Sequence, residues 1–598
     1  MSSVHYRTKF TGSEVACAGL VAVCAALIFT AYATDTAGWP IEPAGMLVLL
    51  LLEAGAWAVW SWRKRWWRLV HLEASELFGF TIVVIGLCGA ILWLASPSYL
   101  PLSQSGDVVH ELMLTDFIRQ RHSLIHSMAW SIYLGGMTFY PPGGYILAAL
   151  LADWLGIASV HIIHPILAVT VAVKAGFLYN ITLRLLPPHR RKWVIAVAGA
   201  ALPLFVPAYF LGPFLAESFY SHVIGETFAV AMLWALVAWD QQPSSGLLAF
   251  FTLCGIGEII TYTFWLPIPV ATLLIMLLVR SNMSVGDRVR HAVRAIGPIV
   301  LVSAAFIAPR LKLFALSSAV GGSIWTPWVI PGWPVLGGAS LMITTPYLFL
   351  ALAGLGLVVA IRGLRALPLL LFAGATAAQT AALFAVDEYQ YVVTHVVAFY
   401  PAYKTLHLLL YPMALFAALA LDALCDWLER RWPAFRLGGR PAPTLILPPM
   451  ILVLAVLNFP TQVGSTLTEP VYQCGLWAKS HSPNGCVDYG FSSWVTAYWV
   501  HLELLGNPIA WSRTDAIYPP NYHPHLFQES FAVVDFNDFK PPGDFEVLHR
   551  CGPIAVLRLP GRSSCKDNPI PIEKAPLPND EDLTLRAVLN SVLGGRRF

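Results

Sequence analysis

Long apolar runs separated by short polar stretches dominate the chain. The runs are about 20 residues long, starting at about 14–34 and 77–97 and recurring as far as about 443–459. An α-helix of that length crosses a hydrocarbon core of roughly 30 Å. The pattern therefore predicts a polytopic α-helical membrane protein with about 13 spans. The first run is longer than a signal-peptide core of about 7–15 residues, so we expect it to be a retained span.

Polar residues replace the apolar runs after about residue 459. Within this segment DFEVLHR and IAVLRLP alternate on either side of Cys551-Gly552-Pro553, a pattern typical of a β-hairpin. We expect a membrane domain over 1–459, with a first external loop over 98–141, and a small mixed α/β domain over 460–598.

Composition and charge restrict the class of protein. Of the 598 residues, 57% are hydrophobic and 12% are charged, whereas a soluble domain has roughly 25% charged residues. A net charge of +3 is too small to indicate nucleic-acid binding. The implied partner of the long runs is the lipid bilayer.

Basic clusters predict the orientation of the spans, because cytoplasmic loops are enriched in Lys and Arg. WRKRWWR (62–68), RSNMSVGDRVRHAVR (280–294) and ERRWPAFRLGGR (429–440) are expected inside, which places the 98–141 loop and the C-terminal domain outside. The region 141–280 contains one conflict. If every apolar run in it, including 143–157, is counted as a span, then HRRK (189–192) lies outside, which contradicts the charge rule. A re-entrant or broken helix would remove the conflict.

The nine cysteines fall into two groups. Five lie in or against apolar runs, and four lie in the polar C-terminal segment: Cys474, Cys486, Cys551 and Cys565. Four cysteines in one soluble segment predict two disulfides and an oxidising compartment. We favour Cys474–Cys486 and Cys551–Cys565, which close short loops; four free thiols are the alternative.

The stretch GDVVHELMLTDFIRQRH carries the charge of the first external loop. At 100° per residue, a helix here places Asp107, His110 and Glu111 on one side and Asp116 on the opposite side, with Arg119 one turn on. A carboxylate at a partly desolvated cavity is suited to proton abstraction. Ordinary loop charges are the alternative.

Two further polar groups lie at or within apolar runs. YPAYKTLHLLLYP supplies Lys404 and His407 at the start of a span, and AESFYSHVIGET supplies Glu217 and His222. Ionisable groups within membrane segments are costly and usually functional, although Lys404 could also snorkel to the interface. Asp387 and Glu388 are tandem acids near an outer loop and the alternative metal ligands.

MTFYPPGGYILAALLADWLG (137–156) follows the acidic loop. Tyr140 stands before two prolines that end any preceding helix, and Gly143 and Gly144 allow close backbone approach. An acidic first external loop followed by Y-P-P-G at a span resembles the GT-C superfamily of polyprenyl-phosphate-sugar glycosyltransferases. Within that superfamily, the chain resembles mycobacterial arabinofuranosyltransferases in two features: FYPPG before an apolar span, and an external C-terminal domain. It differs in one: several of those enzymes have two adjacent acids in the first loop, whereas this chain has Asp107 and Glu111 one turn apart.

The resemblance implies an inverting transfer of a sugar, with arabinofuranose as one candidate, from a polyprenyl-phosphate donor to an extracytoplasmic polysaccharide or glycolipid acceptor. It implies a bacterial plasma membrane location with the site facing the periplasm. Asp107 is then the candidate base, His110 and Glu111 orient it or bind sugar hydroxyls, and Asp116 is the reserve. No cofactor is assigned, and a divalent metal is the alternative. The candidate ligands of the donor phosphate are Lys404, His407 and Tyr403, and Arg119 and Arg121 are the alternative phosphate ligands. The candidate substrate contacts are Glu217, His222 and Tyr140.

Three other classes of function stay open at this stage. A lipid-linked glycan ligase or polymerase would have the same topology and a pyrophosphate-linked donor. A transporter or flippase would be supported by inverted repeats, and we find none. A non-catalytic assembly subunit would use the external domain to bind glycan.

Overall fold

The computed structural model describes most of the chain between residues 9 and 590. The ranges outside the description are 64–69, 103–105, 188–191, 218, 281–282, 311–340, 364–365, 395–399, 434–435, 438–439, 483–485, 510–526, 528, 542, 563–569, 580 and 588–589.

Nine helices in the described residues are long and apolar enough to cross a membrane. They are α1 (Gly12–Thr36), α2 (Pro43–Arg63), α3 (Ala74–Ala95), α7 (Ser159–Leu185), α11 (Tyr220–Gln241), α14 (Val285–Ile307), α15 (Leu341–Gly363), α16 (Leu367–Thr394) and α17 (Tyr400–Arg431). The remaining apolar helices are shorter: α6 (Gly143–Leu155), α8 (Lys192–Ala201, continued by a 3₁₀ turn over Leu202–Phe205), α12 (Ser245–Thr261), α13 (Pro267–Val279) and α18 (Ala442–Leu457). The polytopic helical fold predicted from the sequence is confirmed.

Helices α3 and α7 lie side by side and antiparallel. His164 Nε2 is 3.1 Å from the carbonyl oxygen of Ile91, near the end of α3, and the Tyr179 hydroxyl donates to the carbonyl oxygen of Glu76, near its start, at 2.7 Å. The chain between them, residues 96–158, therefore begins and ends on the same side of the helical bundle. Helix α6 lies within this stretch and does not cross, so the apolar run at 143–157 is not a span.

Removing α6 from the count resolves the conflict over the HRRK cluster. Arg184, at the end of α7, pairs with Glu14 at the start of α1, and Lys192 lies 2.7 Å from Glu76. The end of α7 and the start of α8 are therefore on the side where α1 and α3 begin. In the described chain nine helices are long enough to be candidate spans, and α8, α12, α13 and α18 are shorter apolar helices, so the number of about 13 spans stays a prediction. We call the side of Arg184 and Lys192 the basic face, and the opposite side the site face.

Residues 96–158 form a layer of short helices on the site face. They are α4 (Asp107–Arg121), α5 (Ser131–Leu134) and α6, with 3₁₀ turns at Met128–Trp130 and Gly135–Phe139. The first turn of α4 carries Asp107 and its last turn carries Arg119 and Arg121, the order of charge that the helix dipole favours. Most of its apolar side chains are buried.

The C-terminal domain covers this layer. It contains α19 (Glu469–His481), α20 (Trp494–Tyr498) continued by a π-helical turn over Trp499–Leu504, a 3₁₀ turn at Ile572–Lys574, and a sheet of four strands in the order β5–β6–β8–β7. These strands are β5 (Asp488–Gly490), β6 (Phe531–Asp535), β7 (Glu546–Cys551) and β8 (Ile554–Arg558), while four two-residue strands pair elsewhere: β1 (Phe10–Thr11), β2 (Val70–His71), β3 (Arg436–Leu437) and β4 (Arg440–Pro441). Within the four-stranded sheet, β5 is parallel to β6, and the β6–β8 and β7–β8 pairs are antiparallel. The mixed α/β domain and its β7–β8 hairpin were predicted correctly.

The disulfide pairing differs from the prediction. Cys474 of α19 bonds Cys551 at the end of β7, with 5.9 Å between their Cα atoms. Helix α19 packs against β7 and β8, which brings together two cysteines 77 residues apart. The favoured Cys474–Cys486 and Cys551–Cys565 pairs were therefore wrong. Cys486 is also disulfide-bonded, and Cys565 lies outside the described residues.

Hydrogen bonds fasten the loop layer to the C-terminal domain along its whole length. Arg121 Nη2 donates to the carbonyl oxygens of Ile572 and Ala575 at 2.8 and 2.9 Å. Further on, the Tyr133 hydroxyl donates to the carbonyl oxygen of Ile570 at 2.8 Å. The loop layer is consequently held between the membrane helices and the external domain.

Candidate active site

Two acids of α4 share a recess with a buried lysine. Asp107 and Glu111, one turn apart, both interact electrostatically with Lys404 near the start of α17. Glu217, in the turn before α11, interacts with Asp107 and Lys404 as well. Three carboxyl groups and one ammonium group from three separate parts of the chain therefore meet on the site face.

Asp107 and Glu217 are accessible and yet partly desolvated. Both side chains are exposed, but desolvation raises the pKa of each carboxyl, and Lys404 opposes the increase. Asp107 and Glu217 are therefore surrounded by protein but still reach solvent, which means that they line a recess. Asp107 is thus open to a substrate hydroxyl and has a raised pKa, the combination that suits a general base.

Glu111 occupies the buried wall of the recess. Its side chain accepts a hydrogen bond from the backbone N–H of Tyr220 at 3.2 Å. Burial, reinforced by the neighbouring charge of Asp107, raises the pKa of Glu111 well above its ordinary value. Its neutral form is therefore favoured, and Asp107 is the better placed of the two acids to take a proton.

Lys404 is 5% exposed and lies against two aromatic rings. Its Nζ is 3.9 Å from the ring centroid of Phe219 and 5.4 Å from that of Tyr262. Ring faces stabilise a desolvated cation, and the three acids supply the opposing charge. This lysine is an interior group at the site-face end of α17, so it does not snorkel to the membrane surface.

His110 contacts the C-terminal domain, and its role in orienting Asp107 or binding sugar hydroxyls stays a prediction. The Tyr498 hydroxyl is 2.6 Å from His110 Nε2, and the two rings are in edge-on contact. Burial lowers the pKa of His110 to about 4, so the imidazole is neutral near neutral pH. The prediction that His110 lies beside Asp107 came from the helical angle between the two residues. In the structure, the side of α4 that carries His110 is covered by the C-terminal domain. His110 anchors α4 to the C-terminal domain.

Asp116 and the two arginines of α4 lie outside the recess. Asp116 accepts a hydrogen bond from the Ser159 hydroxyl, on the side of the helix opposite Asp107, as the sequence predicted. Arg119 pairs with Asp153 at 2.5 Å. With Arg121 donating to backbone carbonyls of the external domain, both arginines are engaged in structural contacts. These contacts favour Lys404 over the two arginines as the phosphate ligand, and the competing role of the arginines stays a prediction.

The other predicted contacts lie around and beneath Lys404. Tyr403 and His407 follow it on α17, with 4.7 Å between their ring centroids. His222 of α11 is fully buried and 5.1 Å, centroid to centroid, from His407. Tyr140 is partly exposed, and the charges of Glu111 and Asp107 act together with burial to raise the pKa of its hydroxyl. Tyr140 is therefore near the recess, whereas the two histidines lie deeper.

A possible metal centre is geometrically present among these buried groups. Ligand atoms of His222, Glu226 and His407 all lie within 4.8 Å of one another. The Lys174 ammonium group, however, is 2.5 Å from Glu226 Oε2 and already neutralises this carboxylate. A divalent cation would be forced next to a buried ammonium ion, so these residues fit a hydrogen-bonded network better than a metal site. The alternative ligand Glu388 is exposed on α16, and the Asp387 side chain lies outside the description.

Gly143 of the FYPPGG motif is pressed against α12. A Cβ atom there would lie 2.2 Å from Thr261 Oγ1 and 3.1 Å from the Thr261 Cα atom. Gly143 therefore lets the start of α6 approach the end of α12 beside the recess.

Gly143→Ala is expected to displace the start of α6 and to lower the midpoint of thermal unfolding by several degrees, because a backbone atom limits the relief of the clash. Differential scanning fluorimetry in detergent measures the change. Gly136→Ala is the matched control, since a Cβ atom at Gly136 meets nothing within 4 Å. Equal stability of the two variants would contradict the role of close packing.

Sequence reasoning missed Lys174, Tyr411, Phe219 and Tyr262. Lys174 carried a usable signal, a charge within an otherwise apolar run. The aromatic residues carried none, because they are indistinguishable by type from the many rings that simply pack in the bundle.

Comparisons with solved structures find membrane glycosyltransferases. The chain is similar to ArnT from Cupriavidus metallidurans bound to undecaprenyl phosphate (TM-score 0.44, 13% identity, 80% of this chain and 98% of that one). It is similar to the Archaeoglobus fulgidus oligosaccharyltransferase tethered to an acceptor peptide (0.47, 13%, 80% and 70%). It is also similar to the mycobacterial arabinofuranosyltransferase AftD (0.45, 12%, 80% and 39%). No protein-family model and no curated protein sequence match the chain.

Proposed function

We propose that this protein is a membrane glycosyltransferase that moves a sugar from a polyprenyl-phosphate donor to a glycan acceptor with inversion at the anomeric carbon. One observation carries the proposal: an accessible, desolvated carboxyl, Asp107, shares a recess with the buried cation Lys404 at the outer end of a span. A base and a phosphate-binding cation are the two groups that such a transfer requires.

The transfer assigns a separate task to each group. Asp107 accepts the proton of the acceptor hydroxyl while the hydroxyl oxygen attacks the anomeric carbon. The bond from this carbon to the donor phosphate oxygen breaks, and the phosphate leaves with the electron pair. Lys404 stabilises the charge that develops on the phosphate. Because attack and departure occur on opposite faces of the carbon, the configuration inverts.

The charge state of the recess is compatible with an anionic donor. Three ionised carboxylates would repel a phosphate, but the pKa of Glu111 is raised well above its ordinary value, and that of Glu217 is raised as well. Lys404 lies within a span, where a lipid-anchored phosphate can reach it from the bilayer. The distribution of Lys and Arg favours an extracytoplasmic recess, which supports an acceptor outside the cytoplasm. An arabinofuranosyl donor is the first candidate among sugars because of the FYPPG resemblance.

The proposal is tested with the full chain in lipid nanodiscs. Undecaprenyl-phosphate-linked arabinofuranose and a hexose analogue are each offered with an oligosaccharide acceptor. The expected result is acceptor-dependent release of one undecaprenyl phosphate per sugar transferred, with an inverted anomeric signal in the NMR spectrum of the product. Consumption of only a pyrophosphate-linked donor would favour a ligase or polymerase. Movement of the lipid-linked sugar across vesicles without release would favour a flippase.

A further inference from the structure

Helices α11 and α17 are joined by three contacts at successive turns. Lys404 lies over Phe219, His407 lies against His222, and Tyr411 bonds Glu226, all three pairs within the described residues. The residue numbers rise together on both helices, so the helices are parallel and each contact is one turn deeper than the last. We call these three contacts the ladder. Its top rung is the lysine of the recess.

The bottom rung is fixed by hydrogen bonds between fully buried groups. Glu226 Oε2 accepts from the Tyr411 hydroxyl at 2.5 Å and from Lys174 Nζ of α7, also at 2.5 Å. Glu226 Oε1 lies 2.9 Å from His222 Nε2. A buried ion pair contributes little net stability, but it strongly disfavours alternative arrangements that leave either charge alone. Glu226 therefore ties three helices together at one level.

The middle rung depends on the bottom one. His407 Nδ1 lies 3.2 Å from the carbonyl oxygen of Tyr209, and Nε2 of His407 and Nδ1 of His222 are without a hydrogen-bond partner in the described residues. The two rings meet edge to face at 89°. Since the hydrogen bond of His222 is made to Glu226, a shift of Glu226 would move this ring and the ring of His407 against it.

We propose that the ladder sets the position of Lys404 in the recess, and that Glu226 and Tyr411 are positioning residues for the donor phosphate. The inference rests on the proposed function of Lys404. Tyr411 is seven residues from Lys404 on α17, roughly 10 Å along the helix. It does not touch the recess, and it acts through the rungs between them.

A double-mutant cycle separates positioning from ordinary stabilisation. Substitutions at sites more than about 7–10 Å apart usually have additive effects on free energy. If Tyr411 acts by placing Lys404, then removing the Tyr411 hydroxyl has no further effect once the ammonium group is gone. If Tyr411 only stabilises the bundle, its effect persists in both backgrounds.

The experiment measures binding of undecaprenyl phosphate to detergent-solubilised full-length protein for the wild type, Tyr411→Phe, Lys404→Met and the double variant. Tyr411→Phe is expected to weaken binding about tenfold, because the lost hydrogen bond is made to a charged group. The double variant is expected to bind as Lys404→Met does. Tyr179→Phe is the matched control: it removes an equally buried hydroxyl, bonded to the Glu76 carbonyl at 2.7 Å near the basic face, and should leave binding unchanged.

Each outcome decides between the readings. Unchanged binding by Tyr411→Phe, or a loss that adds to that of Lys404→Met, overturns the ladder while leaving the proposed function in place. Wild-type binding that is absent or insensitive to Lys404→Met overturns the proposed function and the ladder with it. If Tyr411→Phe does not fold, Lys174→Met/Glu226→Gln takes its place in the same cycle, because removing both charges together leaves neither one buried alone.

Discussion

Replacing Asp107 with Asn is expected to reduce sugar transfer about 100- to 10,000-fold, the range that general-base catalysis contributes. The amide has nearly the same shape as the carboxyl but does not accept the proton. Because Asp107 lines the recess and is exposed, the substitution removes no core packing. The measurement is the initial rate of undecaprenyl phosphate release at saturating donor, with donor binding expected to remain close to that of the wild type.

Glu111→Gln is the matched control for this prediction. Its pKa is raised well above the ordinary value, so the carboxyl is already favoured in its neutral form, and a glutamine oxygen can still accept from the Tyr220 N–H. We expect most of the activity to remain. If Glu111→Gln abolished transfer and Asp107→Asn did not, Glu111 would be the base and the assignment would be wrong.

The wild-type rate should also depend on pH in a defined direction. Desolvation raises the pKa of Asp107, and only its deprotonated form accepts a proton. Activity should therefore increase with pH through that raised pKa and decrease at lower pH as the carboxyl becomes protonated. A rate–pH profile without this acidic limb would contradict the role of Asp107 as the base.

Lys404→Met is expected to weaken donor binding about 10- to 100-fold, because it removes a charge-assisted contact to the phosphate. Methionine is similar in length and can fill the space against Phe219 and Tyr262, so the buried site is not left empty. Titration with undecaprenyl phosphate measures the effect. The loss of Lys404 also removes the charge that lowers the pKa of Asp107, and the acidic limb of the rate profile should move to higher pH.

The control for Lys404→Met is Lys192→Met. Lys192 is also paired with an acid, Glu76 at 2.7 Å, but it lies on the basic face. Its substitution should leave donor affinity unchanged. Equal effects of the two variants would show that lost stability, and not a lost phosphate contact, weakens binding.

Local sequence pattern was sufficient for the helical framework. Apolar runs identified the spans, the basic clusters gave an orientation with which α7 and α8 agree, and alternation gave the β7–β8 hairpin. Helix α6 misled the count because its run is as apolar as that of a short span. The antiparallel contact of α3 with α7, which only the three-dimensional structure reveals, shows that residues 96–158 begin and end on the site face.

The sequence identified the charged residues that could form a site, but it did not show which residue each of them contacts. Asp107 stood out as a charge in the first external loop and Lys404 as a charge at the start of a span, and the structure brings them together. His110, Arg119 and Arg121 stood out equally, but their partners are Tyr498, Asp153 and the Ile572 carbonyl, 388, 34 and 451 residues away in sequence. Helical periodicity gives the direction of a side chain and not what it meets, so it could not separate an anchor from a catalytic group.

The bonds between the loop layer and the C-terminal domain affect how the protein folds during synthesis. The carbonyl oxygen of His126 accepts from the backbone N–H of Leu583 at 3.0 Å, and Arg121 is bonded at Ile572 and Ala575. These partners are translated some 450 residues after the loop. The helix that carries Asp107 therefore reaches its final surroundings only after residues 570–583 have been made. A nascent chain that ends before them would hold both Asp107 and Lys404 without these bonds.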